Sequence, residues 1–256
     1  MAWTGNNGKL RNCNFINNTA EITGGGIWWN SVNGIVSNSN FIGNVAGENG
    51  GAIWWSSANG SLTSSNFINN KVLHHQGGAI NWFGANGTIS NSNFTGNVAN
   101  ENGGAIWWNG ANGTLTGSTF KDNIASNVYG GAVLWNGANG TLTGSTFNNN
   151  TANARAGGGI SWFGINGILT SSTFTNNNAN KGGAVYWNVI GSIVNCSFIN
   201  SKSDQLNGIY AEKDLAINGG KGIVYIIISG TLSGTSIVVL NNETYYYPPS
   251  TNINFI

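Results

Sequence analysis

Two short motifs recur along the chain with a nearly fixed period. One is a Gly-Gly-small-aliphatic tetrad, as in Gly103-Gly104-Ala105-Ile106, and the other is F-x-x-N, as in Phe120 to Asn123. The aromatic anchor returns every 24 to 27 residues, at Phe15, Phe41, Phe67, Phe94, Phe120, Phe147, Phe174 and Phe198. The last tetrad residue keeps the same rhythm, at Ile27, Ile53, Ile80, Ile106, Val133, Ile160 and Val185. A period of this length indicates a solenoid in which each repeat forms one coil.

Each repeat contains three short strand-like pieces separated by turn residues. In the unit from 103 to 123 these pieces are residues 105–108, 114–116 and 118–120, and an Asn112-Gly113 corner separates the first two. No window of helical length shows an apolar period of 3.6 residues. We therefore predict an all-β chain folded as a parallel β-helix, with about 26 residues and three strands per coil, and coils stacked about 4.8 Å apart.

Stacked coils would turn each repeated position into a column of like residues. Side chains alternate faces along a strand, so the Trp two residues after the tetrad's aliphatic residue should point inward with it. The predicted core is an aliphatic column, the Phe column, the tetrad column and a Trp column at Trp29, Trp55, Trp82, Trp108, Trp135, Trp162 and Trp187. The Asn residue that ends each F-x-x-N motif should form a hydrogen-bonded amide ladder. Both the Asn ladder and the Asn-Gly corners are interpreted as structural.

The composition and the first residues of the chain restrict the partners and the location that we expect for it. Charged residues make up 7% of the chain and the formal net charge is +1, which gives no electrostatic basis for binding nucleic acid. No run of about 20 apolar residues is present, so we expect no membrane insertion. The first residues do not resemble a signal peptide, and we expect any signal and anchor to lie outside this sequence. Cys13 and Cys196 fall about 34 Å apart in the predicted stack and are expected to be free, buried thiols.

The regular repeat is expected to cover residues 1–200. Beyond Phe198 the period loosens, although Gly208-Ile209-Tyr210 still resembles a tetrad. Residues 201–256 are interpreted as degenerate terminal coils, or as a β cap of the same domain that protects the open sheet edge.

The pairing of F-x-x-N with G-G-A-[ILV] resembles the repeats of the chlamydial polymorphic membrane proteins. Similar repeats occur in adhesin-like surface proteins of bacteria and methanogenic archaea. In this chain Phe41 to Asn44 and Gly50 to Ile53 carry the resemblance, which extends over about residues 3–200. It implies a right-handed parallel β-helix, an extracellular location on a cell surface, and a role in adhesion. The outer-membrane barrel that ends the chlamydial proteins has no counterpart here, and the resemblance names no ligand.

The residues that flank the inward Trp column should point outward and form an aromatic stripe. Each coil contributes one large apolar side chain, and we predict binding through Trp28, Trp54, Phe83, Trp107, Leu134, Phe163 and Tyr186. Exposed apolar stripes usually mark interaction surfaces, and aromatic rings could stack on sugars or contact a protein. The alternative is that a loop or the C-terminal segment covers this face and makes it a second core.

A second candidate collects ionisable residues ahead of the tetrad. Glu48 and Glu101 lie two coils apart, about 9.6 Å, near the wide limit for the paired carboxylates of an inverting glycosidase. His75 falls between them and would fill the space that a sugar and a water need. A solvated turn explains the same residues, so we expect no catalytic residues, no metal and no cofactor.

The sequence favours a cell-surface adhesin-like protein without enzymatic activity, which binds a glycan or a surface protein of a neighbouring cell or host. Two alternatives remain open. One is a polysaccharide-degrading β-helix enzyme that uses Glu48 and Glu101. The other is a structural spacer or stalk that has no ligand of its own.

Overall fold

The computed structural model describes residues 1–204 and 208–219 in full, and beyond them only the backbone of four further strands. In the described residues the chain winds as a parallel β-solenoid without helices. Every strand pair up to Leu232–Ser233 is parallel, and each strand pairs with its equivalents in the coils before and after it. The prediction of a parallel β-helix with about 26 residues per coil is confirmed.

Four parallel sheets run along the solenoid. Sheet A has ten strands: Ala2–Trp3, Ile27–Trp29, Ile53–Trp55, Ile80–Trp82, Ile106–Trp108, Val133–Trp135, Ile160–Trp162, Val185–Trp187, Ile209–Ala211 and Ile226–Ile228. Sheet B has ten: Lys9–Arg11, Ile35–Ser37, Ser61–Thr63, Thr88–Ser90, Thr114–Thr116, Thr141–Thr143, Gly167–Thr170, Gly191–Val194, Leu215–Asn218 and Leu232–Ser233. Sheet C has eight: Asn14–Ile16, Asn40–Ile42, Asn66–Ile68, Asn93–Thr95, Thr119–Lys121, Thr146–Asn148, Thr173–Thr175 and Ser197–Ile199. Sheet D has eight: Thr19–Ala20, Val45–Ala46, Lys71–Val72, Val98–Ala99, Ile124–Ala125, Thr151–Ala156, Asn178–Lys181 and Lys202–Ser203. An antiparallel pair, Ile237–Leu240 with Glu243–Tyr246, lies after these sheets in the chain.

Sheet D adds a fourth strand to the three predicted for each coil. Most of its strands hold two residues, as in Val98–Ala99, which begins directly after the Asn that ends F-x-x-N. Its inward residues Ala46, Val72 and Ala99 form a small apolar cluster apart from the main core. Two residues are too few for an alternating pattern, so this strand leaves little trace in the sequence.

Parallel pairing in register stacks identical residues along the core. Phe67 pairs with Phe94, and Trp82 pairs with Trp108. The Phe67 and Phe94 rings lie 4.8 Å apart and nearly parallel, and the Trp82 and Trp108 rings lie 5.1 Å apart. The inward Trp side chains from Trp29 to Trp187 are completely buried. Aromatic side chains of this size dominate core energetics, so the stacked columns provide most of the apolar burial.

The buried Asn column forms the predicted amide ladder. The backbone N–H and the Nδ2 of Asn97 both donate to Oδ1 of Asn123, each at 3.0 Å. The same Nδ2 donates at 3.0 Å to the carbonyl of Phe67 in the preceding coil. Each amide thus uses both donor hydrogens and both acceptor sites of its oxygen, which makes a fully buried polar side chain tolerable.

The Asn-Gly corner fixes the turn that leads from sheet A to sheet B. Asn112 has a φ of 56°, a left-handed conformation that Asn and Gly adopt most readily. Gly113 lies against the indole of Trp108, where a β-carbon would clash with the ring. The indole Nε1 of Trp108 donates at 3.1 Å to the Gly110 carbonyl. The corner glycine is therefore required by the buried Trp.

The two cysteines are free, as expected, but they differ in burial. Cys196 is 2% exposed, whereas Cys13 is half-buried. The prediction that both thiols are buried is therefore wrong for Cys13, which lies in the first coil and has a neighbouring coil on one side only. Burial raises the pKa of the Cys196 thiol to about 11.

Strands Ile209–Ala211 and Leu215–Asn218 continue sheets A and B beyond the most regular repeats. The predicted terminal cap within 201–256 lies largely outside the described residues. In the described part of the chain, no helix has the length and apolar character needed to cross a bilayer.

Candidate functional site

The outer face of sheet A carries the aromatic stripe. The middle residue of each strand points away from the core because its two neighbours point inward. In register, this column reads Trp28, Trp54, Asn81, Trp107, Leu134, Ser161, Tyr186 and Tyr210. Where the middle residue is polar, Phe83 or Phe163 follows the strand and supplies the aromatic ring instead.

The first half of the stripe is a continuous line of ring contacts. Trp28 and Trp54 stack with ring centroids 5.8 Å apart and planes 12° apart. Phe83 tilts against Trp54 at 6.1 Å and meets Trp107 edge-on at 5.0 Å. Stacked rings shield each other's faces, so Trp28 and Trp54 turn chiefly their edges outward. Phe83 breaks the stack and is the most exposed ring of the stripe, at 38%.

The connections from sheet D to sheet A pass beside this stripe. Asn49 bridges to Thr23 and Gln76 in adjacent coils, and Tyr129 bridges to Ala156. Asn81 is fully buried and donates at 3.0 Å to Asn49 Oδ1. The connecting segments thus form one wall along the stripe.

The prediction of a uniformly exposed stripe is wrong at Leu134 and Tyr186. Trp28, Trp54, Trp107 and Phe163 are half-buried, but Leu134 is 4% exposed and Tyr186 is 6% exposed. Tyr129, from the connecting segment, stacks on Tyr186 at 5.6 Å and meets Phe163 edge-on at 5.0 Å. A connection therefore covers the second half of the stripe, while the first half from Trp28 to Trp107 is more open.

A hollow of about 310 Å³ lies between the stripe and its loop wall. Trp107, Leu134 and Phe163 line it on the stripe side, and Gln76 and Tyr129 line it on the loop side. Trp107 Nε1 and Gln76 Oε1 are enclosed and have no hydrogen-bond partner among the described residues. Unpaired polar atoms of this kind cost about 1–3 kcal/mol each.

The ionisable cluster ahead of the tetrad forms as the sequence suggests. His75 Nε2 lies 2.8 Å from Glu48 Oε2, and His75 Nδ1 lies 3.3 Å from Glu101 Oε1. His75 thus fills the gap between them, and all three side chains are partly exposed. No group of His, Cys, Asp or Glu in the described residues has an arrangement that could hold a metal.

A second cleft, of about 330 Å³, lies at the far end of the stripe, and Tyr186 is its only lining residue that was predicted from the sequence as a site residue. Tyr129, Arg155, Lys181, Tyr186 and Glu212 line it. The hydroxyl of Tyr186 donates to Glu212 Oε1 at 3.1 Å. Burial, reinforced by the negative charge of Glu212, raises the pKa of Tyr186 above its usual range. The signal available in the sequence was a short step of 25 residues between Ile160 and Val185.

Comparison with protein families finds the Chlamydia polymorphic membrane protein repeat at residues 91–107 and 171–186. The chain carries repeats of this polymorphic membrane protein type. Both matched segments begin beside a strand of sheet C, cross sheet D and reach the stripe, at Trp107 in one and Tyr186 in the other. No curated protein and no solved structure gives a significant match. The repeat and the β-helix fold together fit an adhesin-like surface protein.

Proposed function

We propose that this chain is part of an extracellular, cell-surface adhesin-like protein that binds a glycan or a surface protein of a neighbouring cell or host. The observation that carries the proposal is the open half of the stripe, where Trp54, Phe83 and Trp107 are in contact and none is fully buried. A rigid solenoid holds these rings in place before binding, so little side-chain ordering opposes association.

The hollow beside the rings supports a ligand with both apolar and polar groups. Phe83 presents an exposed ring, and the polar residues Gln76, Asn102 and Asn136 line the hollow together with the aromatic residues. Sugars combine apolar C–H faces with hydroxyl groups, and protein recognition surfaces likewise combine apolar and polar groups. Nucleic acid is a poor candidate because the chain has a formal net charge of only +1.

We propose that the chain acts without catalysis. An inverting glycosidase needs room for a water between its two carboxylates, and His75 lies in that space, bonded to Glu48 and Glu101. The rival activity can be tested by incubating the protein with a panel of polysaccharides and measuring reducing ends. Release of reducing ends that Glu101→Gln abolishes would overturn the non-catalytic proposal.

Binding through the stripe can be tested with a glycan array and immobilised cells. The Trp54→Ala and Phe83→Ala double variant removes two rings of the open half and leaves the core columns intact. Ile168→Ala removes a 44% exposed apolar side chain from the outer face of sheet B and serves as the matched control. We expect the stripe variant to lose at least tenfold in affinity and the control to bind like wild type. Equal binding by all three proteins would exclude the stripe, and no binding by any of them would favour the spacer alternative.

A further inference from the structure

The cleft at the far end of the stripe arises from a change in loop length between two adjacent coils. Four residues, 153–156, separate Ala152 from the next Gly-Gly pair, whereas only Asn180 and Lys181 separate Ala179 from its pair. The strand register shifts at this point, from Ala152 paired with Ala179 to Ala156 paired with Lys181. The longer loop therefore projects beyond its shorter neighbour, and a hollow of about 330 Å³ remains beside Arg155.

Two cations in this cleft have no carboxylate partner among the described residues. The guanidinium of Arg155 lies 5.6 Å from the Tyr129 ring centroid, and its only hydrogen bond to a described residue is a long one of 3.4 Å, to the Tyr129 hydroxyl. Lys181 Nζ lies 4.6 Å from the Tyr210 ring centroid and 3.4 Å from its hydroxyl. Neither cation lies within 4.0 Å of a carboxylate oxygen of a described residue. Both retain donors for an incoming anion.

The same cleft also offers hydrogen-bond acceptors. Glu212 accepts one bond from the Tyr186 hydroxyl, and a carboxylate has capacity for several more. Asn180 Nδ2 donates at 2.9 Å to the Ala154 carbonyl, which fixes the amide in the cleft wall and leaves its oxygen as an acceptor. The cleft therefore suits a ligand that carries both a negative charge and donor groups.

We propose that this cleft binds a carboxylate-bearing sugar unit, a uronic or sialic acid within a larger glycan. Arg155 and Lys181 hold the carboxylate, and Glu212 and Asn180 accept hydrogen bonds from ring hydroxyl groups. A bare sulfate has no donor to offset the negative charge of Glu212, whereas the hydroxyl groups of a sugar can donate to its carboxylate. The cleft volume lies at the lower end of the range for small-molecule sites, about 300–1,000 Å³, which suits one sugar unit.

This inference rests on the proposed glycan-binding function. It adds a second site of contact with the glycan, beside the rings of Tyr129 and Tyr186. The acidic unit would lie in the cleft while neighbouring sugars extend along the stripe toward Phe163. Phe163 connects the two sites, since its ring contacts Tyr129 and Tyr186 at the cleft and also lines the hollow beside Trp107.

The test is calorimetric titration of the full chain with two matched ligand pairs. One pair is trigalacturonic acid and its uncharged methyl ester, and the other is a sialylated lactose and lactose itself. The Arg155→Gln and Lys181→Gln double variant removes both cations of the cleft. The Lys9→Gln and Arg11→Gln double variant makes the same change in net charge at exposed residues on sheet B and is the control.

We expect one acid to bind, its neutral partner to bind at least tenfold more weakly, and the cleft variant to lose at least tenfold while the control does not. Whichever acid binds identifies the sugar. Glu212→Gln separates a sugar site from a bare anion site, because it should weaken binding to a sugar and strengthen binding to a simple anion. The inference is overturned if each acid binds no better than its neutral partner, if the cleft variant binds normally, or if sodium sulfate or a glutamate-rich peptide displaces the acid at equal concentration.

The stripe variant Trp54→Ala with Phe83→Ala separates failure of this inference from failure of the proposed function. If the stripe variant loses neutral-glycan binding while the cleft variant binds both acids like wild type, the proposed function stands and the cleft inference fails. Circular dichroism of each variant confirms folding, since all substituted side chains lie outside the buried columns.

Discussion

Removal of one amide from the buried Asn ladder should destabilise the solenoid far more than removal of an exposed one. In Asn97→Ala, the backbone N–H and one Nδ2 hydrogen of Asn70 lose their acceptor, at 3.0 and 2.9 Å. The Phe67 carbonyl also loses the donor it accepts from at 3.0 Å. Three buried polar groups lose a partner, each at about 1–3 kcal/mol, so we expect a loss of about 3–9 kcal/mol in the free energy of unfolding. A water that enters the vacated space would bring the value toward the lower end.

The same coil provides a matched control. Asn93 lies four residues earlier on the outer face of sheet C, and its Nδ2 donates at 2.9 Å to Asn66 in an exposed ladder. Water replaces that bond in Asn93→Ala, so we expect a change within about 0.5 kcal/mol. Asn97→Ser should fall between the two alanine variants, because Ser201 already occupies the Asn column and accepts from Asn177 at 3.3 and 3.4 Å.

Urea unfolding followed by circular dichroism measures the three variants against wild type. Repeat arrays can lose two-state behaviour, so hydrogen exchange at residues 67–70 should be measured as a local readout. Asn97→Ala should open these amides while Asn93→Ala leaves them protected. If Asn97→Ala costs no more than Asn93→Ala, the buried ladder does not stabilise the fold by hydrogen bonding and the reasoning is refuted.

Three further predictions follow from the same structure. Gly113→Ala should lower the free energy of unfolding by about 1–3 kcal/mol, seen as a lower thermal midpoint, because the new methyl group must displace the Trp108 indole. At pH 8 a thiol reagent should modify Cys13 rapidly and Cys196 only after unfolding. The folded pKa of Cys196, about 11, exceeds its unfolded value near 9, so the contribution of the Cys196 thiol to stability is complete below pH 9 and is lost as pH rises toward 11. Cys196→Ala should reduce that loss, measured as urea midpoints across the same pH range. His75→Ala should lower the urea-derived free energy of unfolding by no more than about 1 kcal/mol, because its two ion pairs are partly exposed, and a larger loss would show that they stabilise the stack.

The sequence predicted the core well because parallel pairing in register preserves identity from coil to coil. A position such as Trp82 or Phe94 is repeated at the coil period, so its column and its inward direction follow from strand alternation alone. The Asn97 ladder follows from the same logic. The exposure of the stripe could not be predicted in this way, since it depends on the path of the connection from sheet D to sheet A. The column beside the stripe reads Asn49, Gln76, Asn102 and then Tyr129, so the amides of the earlier coils do not predict the aromatic ring that covers the second half of the stripe.

The positions that depart from the repeat are therefore those at which a ligand-binding role can be distinguished from a structural role. Positions that repeat without change, such as the buried Asn and Trp columns, are already fully occupied by contacts with the coils above and below. A substitution that interrupts a column removes such a contact and leaves a neighbouring side chain available to bind a ligand. Lys181 lies in a loop two residues shorter than that of the preceding coil, and its ammonium group lines an open cleft without a carboxylate partner in the described chain. Phe83 shows the same effect within the stripe, because the polar residue Asn81 displaces the aromatic ring by two positions and turns it out of the stack. If ligand binding resides at Phe83 and Lys181, replacing each with the residue type that other coils carry at that position should abolish binding and should preserve or improve stability. Substitutions in the buried columns should have the opposite effect, because they lower stability without removing a ligand contact.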